Sequence, residues 1–364
     1  MTGLNIGIIG GGYMGKRHAV AFAAVAAVFE TALRPRLEMV AASTDASAAR
    51  YREAFGFARS TGNWRDLVAD TAVDAVIIAS PQDTHEEIAL AAFAAGKPVL
   101  CEKPLSTSVE SGQRMVDAAV QSGCANMSGF NYIRTPASQQ ARNMISRGDL
   151  GRICHFRGEH TEDFLADPAL PASWRTDGRA NGTMGDLAPH MVNAAQALIG
   201  PIEAVMADIE TVHETRGGVT VTNDDQGHML CRFQSGVMGH LHFSRIATGR
   251  KMGYIYEVSG TKGALRFDQE DQNALWFYDA SLPPETQGFR KILTGPAHPD
   301  YEPFCVGPGH GTGYQDQIII QARDFLRAIE TGQPVWPTFA DGLSVDRVID
   351  AAFLSSETRR WQTV

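Results

Sequence analysis

Apolar residues in the first third of the chain fall into short runs, each closed by a small or turn-forming residue. LNIGIIG (Leu4–Gly10), LEMVAAS (Leu37–Ser43) and VDAVIIAS (Val73–Ser80) are three of them. Their length and their Ile and Val content predict buried strands rather than helices. Between them, ASAARYREAF and NWRDLVAD carry the spacing of helices, the second with Asn63 where an N-cap belongs. THEEIALAAFAAGKPVLCEKP then predicts a helix closed by Gly96 and a further strand entered through Pro98. The order βαβαβαβ predicts a doubly wound parallel sheet.

Past about residue 130 the pattern changes to alternation. GHLHFSRI sets Leu241 and Phe243 against His240, His242 and Ser244, as in a half-buried antiparallel strand. YIYEVSGTKGALRF and ALWFYD supply more strands of that kind. Two domains are expected: an α/β domain over residues 1–130, and an α+β domain with a large, mostly antiparallel open sheet over residues 131–364. Residues 281–313, rich in Pro, Gly and His, read as a long loop, functional or disordered.

Composition narrows the function classes. The chain has 364 residues, 44% of them apolar, enough for two packed cores. A net charge of -9 argues against nucleic acid and anionic membranes as partners. Five scattered cysteines with no C-x-x-C pair suit reduced thiols in the cytoplasm. Lys16-Arg17 followed by AVAFAAVAAVF imitates an export signal, but a strand and a glycine turn precede it and Glu30 ends it without a cleavage-like tail. No apolar run approaches the ~20 residues of a membrane-spanning helix.

Gly10-x-Gly12-x-x-Gly15 follows a strand and opens a helix, the context that a dinucleotide-binding turn requires. The first glycine allows the turn, the second lets backbone approach a pyrophosphate, and the third lets helix pack on strand. Helix-start amides would bind the phosphates. The acid that normally holds the adenine ribose is missing or displaced: Ala42, Ser43 and Thr44 end the second strand, with Asp45 one or two residues late. NAD and NADP both remain open.

Lys103 of CEKP lies at the carboxyl end of a strand, where open α/β sheets bind ligands. Either it is a solvated charge or its ammonium stabilises a developing alkoxide. In GTMGDLAPHMVN, Asp186 and His190 stand four apart and would share a helix face. Three readings compete: a capped helix with an incidental His, a metal pair lacking further ligands, and a polarised general base. Trp174 and Arg175 offer an aromatic wall and a fork of donors suited to a polyol, or simple packing. His310, between glycines in GPGHGTGY, is either a flexible turn or an imidazole carried to a substrate hydroxyl. His228, His240 and His242 are read as sheet residues.

In order and spacing, GIIGGGYMG, SPQDTHEEIALAAFAAGKPVLCEKP and GDLAPHMVN resemble the glucose-fructose oxidoreductase, inositol dehydrogenase and MocA family across essentially the whole chain. EDFLADPALPASWR, ILTGP, GPGHGTGY and WPTFADGLSVDRVI are similar to its branch of scyllo-inositol, L-glucose and levoglucosan dehydrogenases. The resemblance implies a Rossmann domain joined to an open-sheet domain, often paired face to face in homodimers or homotetramers. It implies reversible oxidation of a secondary ring hydroxyl of a cyclic polyol or sugar by NAD or NADP, with no metal. Lys103, Asp186 and His190 would be the catalytic trio. Gly10, Gly12, Tyr13, Met14 and Gly15 would hold the pyrophosphate, Ser43 would stand at the adenosine end, and Ser80, Pro81, Gln82, His85, Glu102 and Lys103 would line the ribose and nicotinamide. Arg175 and His310 would contact the sugar alongside the trio, and Asn193 stands where relatives often carry Asp. Two alternatives remain: a cofactor- and sugar-binding regulator without turnover, and a glycosidase using transient oxidation.

Overall fold

A computed structural model describes residues 2–364. The chain divides into two compact units, one of residues up to Arg134 together with Gly313–Asp346, the other of Thr135–Thr312 with Arg347–Val364. The expected division at residue 130 therefore needs correcting at its C-terminal side, since 313–346 returns to the first unit.

In the first unit the order is β1 (Thr2–Ile9), α1 (Tyr13–Val28), β2 (Leu33–Ala41), α2 (Asp45–Phe55), β3 (Arg59–Thr61), α3 (Trp64–Ala69), β4 (Ala75–Ile78), α4 (His85–Ala94), β5 (Val99–Glu102), α5 (Val109–Ser122) and β6 (Asn126–Gly129). The six strands form one parallel sheet in the order β3-β2-β1-β4-β5-β6. The strand order reverses between β1 and β4, and ligands of such sheets bind at that crevice. β2 begins four residues before the apolar run, because Arg34, Pro35 and Arg36 interrupt the pattern. β3 pairs only with Met39–Ala41, so Pro35 lies on a free edge where its missing N–H costs no ladder bond.

Local rules fix the helix ends. Asn63 caps α3 by accepting from the Arg65 amide at 3.1 Å, as its position predicts. Thr44 and Ser47 cap α2 reciprocally, and Gly56 closes it with φ of 79°. The apolar strand faces pack against α4, α5 and the returning segment, where Phe93 meets Phe339 edge to face at 5.5 Å. That segment supplies the helix Tyr314–Thr331, and its Phe325 packs on Phe22 of α1 at 6.3 Å. A buried Arg134–Asp324 ion pair closes the unit.

The second unit holds α6 (Pro136–Ser146), β7 (Ile153–Thr161), α7 (Thr183–Asp186), α8 (Ala188–Ile199), β8 (Ile202–Glu210), a small β9 (Thr215–Arg216) and β10 (Val219–Thr220) hairpin, β11 (Gln226–Phe233), β12 (Met238–Ser244), β13 (Gly253–Gly260), β14 (Gly263–Asp268), β15 (Ala274–Asp279) and β16 (Arg290–Leu293). The chain continues with α9 (Tyr314–Thr331), α10 (Phe339–Thr358) and β17 (Gln362–Thr363). Nine strands form one sheet, β16-β15-β14-β13-β7-β12-β11-β8-β17, antiparallel except where β7 and β12 run parallel. α8 approaches closely at Gly158, where any side chain would collide with Met191 and Leu241. On the other face His228 and His242 stack at 4.3 Å, with His240 beside them, as sheet residues. Residues 281–313 are not one loop: β16 pairs with β15 at the sheet edge, and buried Tyr301 staples the remainder through its hydroxyl.

Candidate active site

The glycine turn is built as its spacing requires. Gly10 has φ of 98°, and a Cβ there would enter the Ala79 carbonyl just past β4. A Cβ on Gly15 would strike the Gly10 carbonyl oxygen. Gly12 differs, because its φ of -68° suits any residue and a Cβ there meets nothing within 4 Å. Among the described residues no contact requires a glycine at that N-cap, which leaves the backbone there open to an approaching ligand. The α1 start carries no acidic residue, and its amides and dipole suit the pyrophosphate of a dinucleotide. Tyr13 and Met14 follow at the helix start, where Arg17 lies 4.9 Å over the Tyr13 ring. Tyr314 stands beside Tyr13, Met14 and Tyr132, a grouping that sequence reading missed because α9 lies some 300 positions away.

At the end of β2, Ser43 is exposed and Thr44 spends its hydroxyl on the helix cap. The Asp45 carboxylate accepts from the Gly62 amide at 2.6 Å through one of its oxygens, which ties this late acid to the turn after β3.

The turn after β4 holds Ser80, Pro81 and Gln82, with the Ser80 and Thr84 hydroxyls 2.7 Å apart. His85 was expected to touch cofactor, yet it is fully buried. Its ring nitrogens face the Ser80 carbonyl at 3.1 Å and the Pro104 and Leu105 carbonyls at 3.1 and 3.3 Å. Burial pushes its pKa below the ordinary value, against carbonyls that favour the protonated ring. His85 therefore joins two loops and has no surface left for a ligand. Glu102 ends β5, and half-buried Lys103 follows it. Buried His18, on α1, meets Glu102 at 2.7 Å, and the other Glu102 oxygen accepts from the Lys103 amide at 3.3 Å. His18 ties the glycine-turn helix to the Lys103 strand, and nothing local in the sequence announced it.

In the second unit, Arg175 Nη1 donates to Asp186 Oδ2 at 3.1 Å. The guanidinium lies 4.4 Å from the Trp174 ring centre and 5.2 Å from that of Phe164, and Trp174 is 63% exposed. Asp186 and His190 were expected on one regular helix. Instead α7 ends at Asp186 and α8 begins beyond Leu187, because Pro189 has no N–H to give Gly185 and its ring crowds that turn. The His190 amide reaches back only to the Leu187 carbonyl, at 3.3 Å. His190 is nearly buried, with the His160 ring centre 5.6 Å away. Asn193, one turn on, is buried, and its Oδ1 has no hydrogen-bond partner among the described residues.

A buried network from the far side of the unit sets this geometry. Arg245 and Asp225, nearly sealed from solvent, pair at 3.0 Å. Arg245 Nη1 also donates to the Arg175 carbonyl at 2.7 Å, and Asn223 donates to that carbonyl at 3.1 Å. Asp224 accepts from the Met184 amide at 2.7 Å and so caps α7, while burial pushes its pKa up to about 6. His310 is exposed on the Tyr301–Gly311 loop, its Nδ1 3.0 Å from Cys305 Sγ. Among the described residues no group of three or more His, Cys, Asp or Glu side chains is arranged to hold a metal.

Residues 4–130 match the model of the oxidoreductase family with an NAD-binding Rossmann fold, and residues 138–266 match the GFO/IDH/MocA C-terminal domain. Levoglucosan dehydrogenase of Pseudarthrobacter phenanthrenivorans is 38% identical over 100% of this chain and 99% of its own. Inositol 2-dehydrogenase 2 of Saccharopolyspora erythraea is 33% identical, covering 71% of this chain and 70% of its own. A levoglucosan dehydrogenase solved in complex with NADH and levoglucosan superposes with a TM-score of 0.97, at 38% identity and 100% coverage of both chains. The chain is an NAD-binding oxidoreductase of the GFO/IDH/MocA family.

Proposed function

We propose that this oxidoreductase oxidises a secondary ring hydroxyl of a pyranose or cyclic polyol to the ketone, reversibly, with a levoglucosan-like anhydro sugar as the first substrate to try. The observation that carries the reading is the Arg175–Asp186 pair, flanked by Trp174 and Phe164 and followed directly by His190. An aromatic wall beside fixed donors and acceptors suits the apolar face and hydroxyl edge of a sugar ring. The full-length match to a levoglucosan dehydrogenase supports the same class.

The hydride acceptor for the carbinol carbon would be supplied by bound NAD. Gly10, Gly12 and Gly15 shape the turn for its pyrophosphate, and the Ser80–Gln82 turn with Glu102 serves the ribose and nicotinamide end. His190 takes the hydroxyl proton as general base. Asp186, oriented by Arg175, stabilises the imidazolium that results. Lys103 donates to the substrate oxygen and stabilises its developing negative charge. Arg175 and Asn193 read neighbouring hydroxyls, and His310 closes on the ring from its glycine loop.

The open face of the nine-stranded sheet is the surface proposed for a homodimer or homotetramer. Among the described residues no helix is long and apolar enough to cross a membrane. All five cysteines are free thiols, which suits the cytoplasm.

The test is growth of reduced-nicotinamide absorbance with NAD or NADP against levoglucosan, L-glucose, D-glucose and inositols. Growth with one sugar and one cofactor is the expected result. Cofactor binding with no turnover on any sugar would favour a regulator, and cleavage of a glycoside without net cofactor reduction would favour a glycosidase.

A further inference from the structure

Lys103 is followed by three buried residues, Pro104, Leu105 and Ser106, that belong to no helix or strand. A buried stretch of that kind needs partners for its polar backbone groups. Side chains from two distant elements supply them. The His85 ring of α4 serves the carbonyls: its Nδ1 lies 3.1 Å from the Pro104 oxygen and 3.3 Å from the Leu105 oxygen. Asp346 of α10 serves the amides, from 240 positions along the chain. Its Oδ2 accepts from the Ser106 amide at 3.0 Å and lies 3.0 Å from the Ser106 hydroxyl, and the Leu105 amide donates to the same carboxyl. α10 comes this close because Gly342 stands one turn earlier, where a side chain would collide with Ser128 and press on Leu105. Asp346 is buried, and burying a carboxyl is costly without compensating partners. Its partners are the residues next to Lys103. Leu105, Leu343 and Cys101 around it belong to the apolar core, so an apolar side chain would serve packing alone.

We infer that Asp346 is a positioning residue for Lys103: it holds the Leu105 and Ser106 amides opposite His85 and so fixes where the end of β5 delivers the lysine. The inference rests on the reading of Lys103 as the group that stabilises the substrate oxygen. Stabilising a charge that develops during the reaction depends on a donor already in place, so a loop free to shift would cost rate rather than binding. Burial pushes the Asp346 carboxyl up to about 7 against amides that favour its ionised form. An asparagine therefore matches its neutral form in shape and still accepts from the amides.

The test uses the full-length protein and the sugar that it turns over. Asp346→Ala should lower kcat by about ten- to a hundredfold, the loss expected when a catalytic group is misplaced, with sugar KM and NAD affinity nearly unchanged. Asp346→Asn should restore most of that rate. Because the aspartate acts through the lysine, D346A should cost nothing further in a chain that already carries Lys103→Ala. Wild-type kcat in D346A, a D346N as slow as D346A, or a full additional loss in the double variant would overturn the inference. Hydrogen exchange at the Leu105 and Ser106 amides reads the same contact without turnover. Both should be protected in wild type and D346N and exposed in D346A, and unprotected amides in wild type would overturn the inference even if D346A fails to fold. If K103A alone keeps the wild-type rate, the reading of Lys103 fails instead.

Discussion

The glycine turn of the first unit and the Arg175–His190 segment of the second are both candidate binding elements, but they are held in different ways. At the glycine turn the requirements come from backbone packed against a short motif. Gly10 and Gly15 are forced by backbone lying beside them, and α1 starts between them, at Tyr13. The Arg175–Asp186 stretch that precedes His190 has no regular structure long enough to hold itself, since its helices are of three and four residues. It is held by Asn223, Asp224, Asp225 and Arg245, which strand pairing brings underneath it. The lesson is that a nucleotide turn can be carried in a short motif, whereas a sugar site is carried by a network.

Substitutions can sharpen this contrast. The largest effect belongs to the chemistry itself: Lys103→Ala should lower kcat by about two to four orders of magnitude, with cofactor affinity measured by fluorescence titration nearly retained. Next comes the network. Arg245→Ala leaves Asp225 charged and buried, which should cost about 3–5 kcal/mol in urea unfolding and raise the sugar KM. An R245A protein with wild-type stability and KM would break the comparison.

A smaller effect is expected at Asp224. Its pKa is raised to about 6 when folded, so the folded chain holds that proton more tightly than the unfolded chain. Stability is then favoured at low pH and declines as pH rises through about 4 to 6. Asp224→Asn keeps an acceptor for the Met184 amide and removes that decline. Unfolding in urea across this range should show wild type losing about 1–3 kcal/mol relative to D224N. The smallest effect lies in the first unit: Ser108 caps α5 through the Ser111 amide at 3.2 Å, and Ser108→Ala should cost about 1 kcal/mol without changing the sugar KM.

What could be read from sequence follows the same divide. The glycine turn, the Asn63 cap and the strand that ends at Glu102, just before Lys103, were legible because their physics lies within a few residues. The start of β2 was not, because Pro35 reads as a breaker until β3 is seen to leave that edge free. The shared helix expected for Asp186 and His190 was not real, since Pro189 divides it. His18 pairs with Glu102 from 84 positions away, and residues 313–346 belong with the first unit through contacts such as Phe22 with Phe325. Pairings at that range leave no periodic trace. His85 shows the opposite error, a residue whose position suggests a ligand but whose ring nitrogens are both taken by backbone carbonyls.

The most direct test of the central claim is the absorbance of reduced nicotinamide when wild type, K103A and H190A are each mixed with NAD and levoglucosan. Steady growth is expected in wild type, with loss of about two or more orders of magnitude of rate in both variants, as acid–base and alkoxide stabilisation require. Wild-type rates in either variant would contradict the claim.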